Sequence, residues 1–194
     1  MTITIAALVA GGILPTQARL FADHLRVYCG LEDIDTPMRE AAFLGQMAHE
    51  SAKFTRLEEN LWYRAPQIAK VWPRLASRAT ALAGKPEDLA NAAYGGRLGN
   101  NRPGDGWLFR GRGLVQLTGR ANYATFCYET DPDLVAEPKD ATRAATMFWT
   151  RHGLNRLADK GDVDGITERL HGPAMLGAKL RRDFTKTFHR ALTT

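Results

Sequence analysis

The sequence predicts a mainly α-helical domain that one glycine-rich stretch interrupts. Apolar residues recur at three- and four-residue spacing in segments that begin with a capping residue or a proline, which is typical of amphipathic helices. In contrast, residues 94–113 hold seven glycines, a density typical of a long ordered loop or a small hairpin. We therefore expect one domain over residues 1–194, with residues 1–35 as an N-terminal helical packing segment and residues 36–194 as the core.

The apolar N-terminus predicts a short packing helix within residues 1–12. This segment differs from a signal peptide because the first basic residue, Arg19, comes after the apolar run, and the run is too short to span a bilayer. Thr16 is then expected to cap a second helix. That helix should end near Tyr28 and place Leu20 on its buried face.

The pair Thr36-Pro37 predicts the start of a third helix. Threonine can accept a hydrogen bond from the first turn, and proline loses no hydrogen bond at the first helical position. We expect this helix to end near Glu50. Gly45 lies in its interior, where glycine costs about 1 kcal/mol relative to alanine. Close packing against another helix would explain that glycine.

Shorter elements are predicted along the rest of the chain. They are a helix between Ala65 and Pro73, a helix from Pro86, an extended segment at residues 114–117, and helices over residues 120–128, over residues 141–152 and after Asp162. The C-terminal helix is expected to be amphipathic, with an apolar side and a basic face. Its apolar residues are Leu180, Phe184, Phe188 and Leu192, and its basic residues are Lys179, Arg181, Arg182, Lys186 and Arg190.

The charge and the cysteine content restrict the classes of protein only coarsely. The formal net charge is +5 and the pI is about 9.4, which favours an anionic partner. Nucleic acid, an anionic membrane and an acidic cell-wall polymer all remain open on this ground. Two cysteines, Cys29 and Cys127, are too few for a disulfide framework and lack a CxxC spacing.

Several common catalytic motifs are absent from the sequence. The pair His49-Glu50 does not extend to the zinc motif HExxH, because Lys53 stands where the second histidine would be. Ser51 does not lie in a GxSxG motif, and no P-loop follows the glycines. We therefore expect neither a metal ion nor a cofactor.

Two acidic positions suggest the hydrolysis of a glycosidic bond, which uses a protonated acid and a second carboxylate. Glu50 ends an apolar helix, where burial would raise its pKa and hold its proton. Glu59 follows after a turn that could carry it to the other side of a groove. The alternative is that Glu50 merely ends a helix and that Glu58 and Glu59 are solvated.

Aromatic residues are consistent with a carbohydrate groove, since their rings stack on sugar faces. The candidates are Trp62, Tyr63, Tyr94, Trp107 and Tyr123. The arginine-rich loop around Trp107 and Phe109 could equally stack bases and hold phosphates, and some of these rings could belong to the core.

Five motifs follow one another between about Pro37 and Phe184. They are Ala48–Ser51 (AHES), Glu59–Tyr63 (ENLWY), Tyr94–Arg97 (YGGR), Gly104–Trp107 (GDGW) and Arg110–Tyr123 (RGRGLVQLTGRANY). In this order they resemble glycoside hydrolase family 19 and, within it, the short phage and prophage endolysins. The Gly-Arg-Gly to Gln-Leu-Thr block is highly specific.

The resemblance implies a mostly α, lysozyme-like fold with a deep cleft and an inverting mechanism that needs no cofactor. It implies that Glu50 is the general acid, that Glu59 is the general base and that Thr118 helps to position the water. Because Glu58 adjoins Glu59, the base could be either residue.

The resemblance also implies a set of substrate-binding positions. They are His49, Tyr63, Tyr94, Trp107, Gln116, Asn122, Tyr123, His171 and Arg181. One segment departs from the family, which usually has Asn-Gly-Gly where this chain has His171-Gly172-Pro173. The family's cleft arginine maps to Arg181 or Arg182.

From these patterns we expect an enzyme, an endolysin with muramidase activity that hydrolyses β-1,4 glycosidic bonds of peptidoglycan and lyses bacteria. A chitinase of the same fold and a non-catalytic glycan-binding module are alternatives, and charge alone suggests a nucleic-acid binder. The expected partners are peptidoglycan strands and the anionic bacterial envelope, without nucleic acid, and the protein is expected to be a monomer. The resemblance to endolysins implies that it is made without a signal peptide in the host bacterial cytoplasm and reaches the wall after release.

Overall fold

The computed structural model describes residues 2–194 and confirms the predicted mainly α fold. Over these residues it contains twelve α-helices, three 3-10 helices and no β-strand. The α-helices are α1 Ile5–Ala10, α2 Pro15–Leu31, α3 Pro37–Glu50, α4 Ala65–Val71, α5 Ala79–Leu82, α6 Pro86–Tyr94, α7 Asp105–Leu108, α8 Arg120–Thr125, α9 Pro138–Arg151, α10 Asn155–Ala158, α11 Val163–His171 and α12 Ala178–Thr193. The 3-10 helices are Pro73–Arg78, Pro132–Ala136 and Gly172–Ala174. Within residues 2–194, each helix is too short or too polar to cross a membrane.

The chain divides into two compact units. The first unit runs to Leu57 and includes Gly113–Val115 and Val135–Thr194, and the second consists of Glu58–Arg112 and Gln116–Leu134. The assignment of residues 1–194 to one domain, like the cleft that the resemblance implies, stays a prediction.

In the first unit, α3 packs along α12 at the centre of the core. The close packing expected at Gly45 is confirmed, because a Cβ atom there would lie 2.8 Å from the backbone nitrogen of Thr185 in α12. Trp149 of α9 is wholly buried and meets Phe43 of α3 edge to face, with 5.5 Å between the ring centroids. The middle of α3 is thus fixed by both neighbours, and its last turn is positioned with it.

The predicted cap of α3 is confirmed, whereas the predicted cap of α2 is wrong. The Thr36 hydroxyl accepts a 3.3 Å hydrogen bond from the first turn of α3, and Pro37 is the first helical residue. In contrast, α2 begins at Pro15, since proline suits the first helical position, and Thr16 therefore lies inside the helix. Leu20 is 53% exposed because α2 turns its other apolar side to the core.

The later helices of the first unit follow the prediction except at two residues of the C-terminal helix. Helix α9 covers most of residues 141–152, and the Asp162 side chain caps α11 by accepting a 2.8 Å hydrogen bond from the Gly165 N–H. Helix α12 forms as predicted, but Leu180 is 54% exposed and does not belong to its apolar side, and Arg181 is wholly buried and does not belong to its basic face. Its guanidinium group forms an ion pair inside the unit.

In the second unit, helices α4 to α6 enclose a small apolar core to which Leu61, Ile68 and Leu89 contribute. The helices predicted at Ala65 and Pro86 are confirmed as α4 and α6.

Two predictions in the glycine-rich part of the chain are wrong. Residues 114–117 are not extended, because Arg112 and Leu117 exchange backbone hydrogen bonds of 3.1 and 2.8 Å and the chain must reverse between them. Gln116 accordingly has a positive φ of 53°. The helix predicted over residues 120–128 ends at Thr125.

Candidate active site

Glu50 is the last residue of α3, and its side chain is 15% exposed. A helix C-terminus disfavours a negative charge, because backbone carbonyl groups point outward there. Two partners compensate for this: Glu50 Oε1 accepts a hydrogen bond from Arg181 Nη2 and contacts His171 Nε2. The acidic position that the sequence singled out is therefore held by basic groups from α11 and α12.

Arg181 joins three helices of the first unit. Besides Glu50, its guanidinium group donates to Gln46 Oε1 of α3 at 2.6 Å and to the Leu176 carbonyl at 3.0 Å. Gln46 in turn donates its amide to the Thr167 hydroxyl of α11 at 3.1 Å. Each of these groups gains a hydrogen bond in a buried place, so the geometry around Glu50 is tightly determined.

The pKa of Glu50 is lowered, and the prediction that it is raised was wrong. Burial is the largest influence and by itself raises the pKa of the carboxyl group. The hydrogen bond with His171 and the charge of Arg181 act in the opposite direction and together outweigh burial. The prediction failed because those partners lie far away in the sequence.

His49 faces the backbone near the start of α12. A Cβ atom on Gly177 would collide with the His49 ring, so only glycine leaves room for it. Burial, followed by the charge of Arg181, lowers the pKa of His49. Its Nδ1 atom is buried and finds no hydrogen-bond partner among residues 2–194.

A small pocket of about 50 Å³ lies beside Glu50 and His171. Val115, Phe148 and Leu170 form its other walls. Its volume is enough for a water molecule, which would find polar partners only on the Glu50 side.

Glu59, in the second unit, is half-buried and bound by two neutral donors. Its carboxylate accepts 2.6 Å and 2.7 Å hydrogen bonds, the first from the backbone N–H of Gly111 and the second from the hydroxyl of Tyr94. The Glu59 N–H donates to the Gly111 carbonyl at 3.0 Å, so both chain segments are joined by backbone as well as side chain. Burial, followed by the charge of Glu59, raises the pKa of Tyr94. Tyr94 therefore stays protonated, and its O–H is the donor of the hydrogen bond to Glu59.

Three predicted site residues come together around Gly111. A Cβ atom at this glycine would lie 3.2 Å from both Gln116 Oε1 and Thr118 Oγ1 and 3.4 Å from the Glu59 carboxyl carbon. The Thr118 hydroxyl donates to the Gln116 carbonyl at 3.0 Å, which fixes its position. Here a carboxylate, a hydroxyl and an amide oxygen surround a residue that has no side chain.

Glu58 has a different environment from its neighbour. It forms an ion pair with Arg110, whose guanidinium group lies over the Trp107 ring at 4.1 Å, and its side chain is 48% exposed. Glu58 is therefore paired with a cation, whereas Glu59 accepts hydrogen bonds from neutral donors.

Two other predicted residues of the second unit, Asn122 and Tyr123, bind backbone carbonyl groups of the segment 110–118. Tyr123 is wholly buried, which does not fit direct contact with substrate, and its hydroxyl donates to the Arg110 carbonyl at 2.7 Å. Burial raises the pKa of Tyr123 to about 12. Asn122 donates to the Thr118 carbonyl at 2.7 Å, and Tyr63 packs edge to face with Trp72.

The sequence reasoning missed two residues that organise the site, the buried Gln46 and Arg112. Arg112 donates to the Leu108 carbonyl and to the Tyr123 hydroxyl and pairs with Asp133. Its position between two glycines was the one available signal. Among residues 2–194, no three side chains of the kinds that bind metal ions cluster together.

Comparison with known proteins relates the chain to a family of glycoside hydrolases. No family model matches the chain. A glycosyl hydrolase family 19 domain-containing protein of Haemophilus influenzae is 37% identical over 145 aligned residues, which cover 70% of this chain and 71% of the relative.

Proposed function

The chain belongs to glycoside hydrolase family 19, and we propose that it is an endolysin with muramidase activity. In this proposal it hydrolyses the β-1,4 glycosidic bonds of peptidoglycan with inversion at the anomeric carbon and thereby lyses bacteria. The arrangement of Glu59, Thr118 and Gln116 around Gly111 is the observation on which the proposal rests.

The proposed reaction assigns one role to each glutamate. Glu50 donates its proton to the glycosidic oxygen as the bond to the anomeric carbon breaks. Glu59 takes a proton from a water molecule, whose oxygen forms the new bond to that carbon. Thr118 orients this water. The products are a sugar with a new hydroxyl group and a reducing end of inverted configuration.

The surroundings of Glu59 support its role as the base. A carboxylate that accepts hydrogen bonds from the Gly111 N–H and the Tyr94 hydroxyl is held in one orientation. The Thr118 hydroxyl lies on the same side of Gly111 and can bind the water that the carboxylate activates. General-base assistance of this kind contributes roughly 10²- to 10⁴-fold to a rate.

The charge of the protein supports peptidoglycan over chitin. Peptidoglycan bears carboxylates, whereas chitin is neutral, and the chain has a net charge of +5. On α12, the side chains of Lys186 and Arg190 are exposed. We propose that they help the enzyme to bind the anionic envelope after its release from the host cytoplasm. Replacing both by glutamine should then weaken lysis most at low salt, where charges are screened least.

Product analysis tests the substrate and the mechanism together. Purified peptidoglycan and chitin oligosaccharides are digested, the reducing-end sugar is identified by mass spectrometry, and the anomer first formed is identified by NMR. We expect reducing N-acetylmuramic acid from peptidoglycan, with inversion. Products from chitin alone would indicate a chitinase instead, and binding without any product would indicate a glycan-binding module.

Three matched variants test the residues. Glu50→Gln and Glu59→Gln should each lower kcat by roughly 10²- to 10⁴-fold. Glu58→Gln is the control, since its parent residue is engaged by Arg110, and it should retain most of the activity. If Glu58→Gln is inactive and Glu59→Gln is active, the base is Glu58 and the assignment made here is wrong.

A further inference from the structure

We infer that His171 is a positioning residue for Glu50, which shares one proton with the glutamate and returns a proton to it after each turnover. The inference rests on the proposed role of Glu50 as general acid and adds to it the route by which the acid is reloaded. It arises from the contact of Glu50 with His171 and Arg181 inside the first unit.

The side chains of Glu50, His171 and Arg181 meet at one point. His171 ends α11, and its Nε2 atom contacts both Glu50 Oε1 and Arg181 Nη2. Arg181 is wholly buried and remains protonated at all ordinary pH values. The glutamate and the histidine therefore meet beside a positive charge that does not titrate.

Two distributions of the proton fit the same positions of the heavy atoms. In one, His171 is an imidazolium whose Nε2–H donates to the Glu50 carboxylate. In the other, Glu50 is a carboxylic acid whose O–H donates to neutral His171. The pair holds one proton in both cases, so it should titrate as a unit rather than as two independent groups.

Glu50 needs a nearby source of protons because both His171 and Arg181 favour its ionised form. The pKa of Glu50 is lowered, although burial alone would raise it. Beside these partners, the Glu50 carboxyl group by itself holds little of the proton at neutral pH. A proton on His171 remains within reach of the carboxylate and can be transferred when the glycosidic oxygen approaches.

In each turnover, His171 supplies the proton that replaces the one Glu50 has donated. Glu50 gives its proton to the leaving oxygen and becomes a carboxylate. Because the pair holds a single proton, this step leaves His171 neutral. His171 then takes up a proton from solvent at Nε2, and the pair again shares one proton between Nε2 and Glu50 Oε1. Glu59 releases to solvent the proton that it removed from the attacking water, so a complete cycle neither consumes nor produces protons.

The pair is partly open to solvent, since the side chains of His171 and Glu50 are 23% and 15% exposed. The other titratable or charged groups that face it are His49 of α3 and Arg181 of α12, and the pKa of His49 is lowered. The remaining wall is apolar and consists of Val115, Phe148 and Leu170, around a pocket of about 50 Å³. A water molecule in this pocket would contact His171 and could connect it to solvent.

The first test follows the proton without using activity. Protein labelled with ¹³C at glutamate carboxyl and histidine ring carbons is titrated by NMR, and the Glu50 signal is assigned with Glu50→Gln. We expect Glu50 and His171 to show the same two titration steps. In His171→Gln, which keeps an amide donor but no titrating proton, Glu50 should show a single step. His152→Gln, the control, should leave both steps in place.

The second test is the pH profile of kcat/KM. In the wild type, activity at high pH should be lost when the pair gives up its shared proton. In His171→Gln, Glu50 must hold the proton alone, so the alkaline limb should move to lower pH. A shift of one pH unit would lower kcat/KM at neutral pH about tenfold, with recovery on acidification.

The outcomes separate this inference from the proposed function. Independent single-step titration of Glu50 and His171, or an alkaline limb that does not move in His171→Gln, would overturn the shared proton even if the enzyme cleaves peptidoglycan. Coupled titration in a protein whose Glu50→Gln variant retains full activity would instead overturn the role of Glu50, and with it the reloading route.

Discussion

The two glutamates that we propose to act in catalysis are held by partners of different kinds. Glu50 is bound by Arg181 and His171, a cation and a group that can become one. Glu59 accepts its hydrogen bonds from the Gly111 N–H and the Tyr94 hydroxyl, which are neutral. Cations stabilise a carboxylate more strongly than neutral donors do. The comparison shows that the partners, and not the type of residue, determine the electrostatic environment of each glutamate.

Each unit also buries one arginine, and the two arginines are used differently. Arg181 pairs with Glu50, whose side chain is 15% exposed. Arg112 pairs with Asp133, whose side chain is 74% exposed, and its other bonds go to a carbonyl and to Tyr123. The charge of Arg181 acts on a candidate catalytic group, whereas Arg112 supports the backbone beside one.

Replacing the two buried arginines is expected to have the largest effect on stability. Arg181→Met should lower the free energy of unfolding by about 3–5 kcal/mol, because it leaves the partly buried Glu50 without its cation. Arg112→Met should cost about 1–3 kcal/mol, since Asp133 can be solvated and only hydrogen bonds are lost. Urea unfolding at neutral pH measures both. Equal losses would mean that the two ion pairs do not differ as described.

A smaller effect is expected from the neutral donor of Glu59. Tyr94→Phe removes a hydrogen bond to a charged group, worth about 1.5–3 kcal/mol, and should lower kcat/KM by roughly 10- to 100-fold. Steady-state kinetics on peptidoglycan fragments measures this loss. Tyr28→Phe in α2 is the control and should behave like the wild type. An unchanged kcat/KM in Tyr94→Phe would show that the hydroxyl does not orient Glu59.

Each unit has a glycine at a close contact between helices, and replacing either glycine by alanine should lower stability by a similar, moderate amount. A Cβ atom at Gly45 would lie 2.8 Å from the Thr185 backbone nitrogen, and one at Gly106 would lie 2.6 Å from Asn91 Cα. Backbone atoms cannot move aside cheaply, so Gly45→Ala and Gly106→Ala should each cost about 1–3 kcal/mol in urea unfolding. Wild-type stability in either variant would show that the helices at that position can separate without cost.

The smallest effect is expected in the pH dependence of stability. The pKa of Glu50 is lowered in the folded protein, so its contribution is fully present above the unfolded pKa of about 4.3 and is lost as the pH falls through the folded pKa. The stability difference between the wild type and Glu50→Gln should therefore be constant near neutral pH and shrink in acid. Thermal unfolding between pH 7 and pH 2 measures it. A difference that grows in acid would reverse the sign of the pKa shift.

The parts of the fold that sequence reasoning predicted correctly are those with a local cause. Thr36 and Pro37 start α3 through contacts within one turn, and Gly45 indicated a close neighbour without identifying it. Arg181 was placed on the basic face of α12 because its helical spacing suits that face. Its partner Glu50 comes 131 residues earlier in the chain. A local sequence pattern cannot predict contacts between residues that are so far apart.

The candidate site shows the same division between local and distant causes. The family motifs located Glu50, Glu59 and Thr118, but not the groups that tune them. The donor that binds Glu59 comes from Gly111, 52 residues later in the chain. The sequence left Glu58 and Glu59 as alternatives, and their partners distinguish them, since Glu58 pairs with Arg110 whereas Glu59 accepts hydrogen bonds from Gly111 and Tyr94.

The hydrogen bond from Gly111 to Glu59 has a consequence for how the protein can vary. Its donor is a backbone N–H, so among the twenty amino acids only proline at position 111 would delete it outright. Larger side chains there would instead crowd Gln116, Thr118 and Glu59. In a randomised library, we therefore expect position 111 to accept few replacements, while the donor itself persists through changes elsewhere in the loop. The orientation of Glu59 therefore depends on the path of the backbone at position 111 more than on the identity of a side chain there.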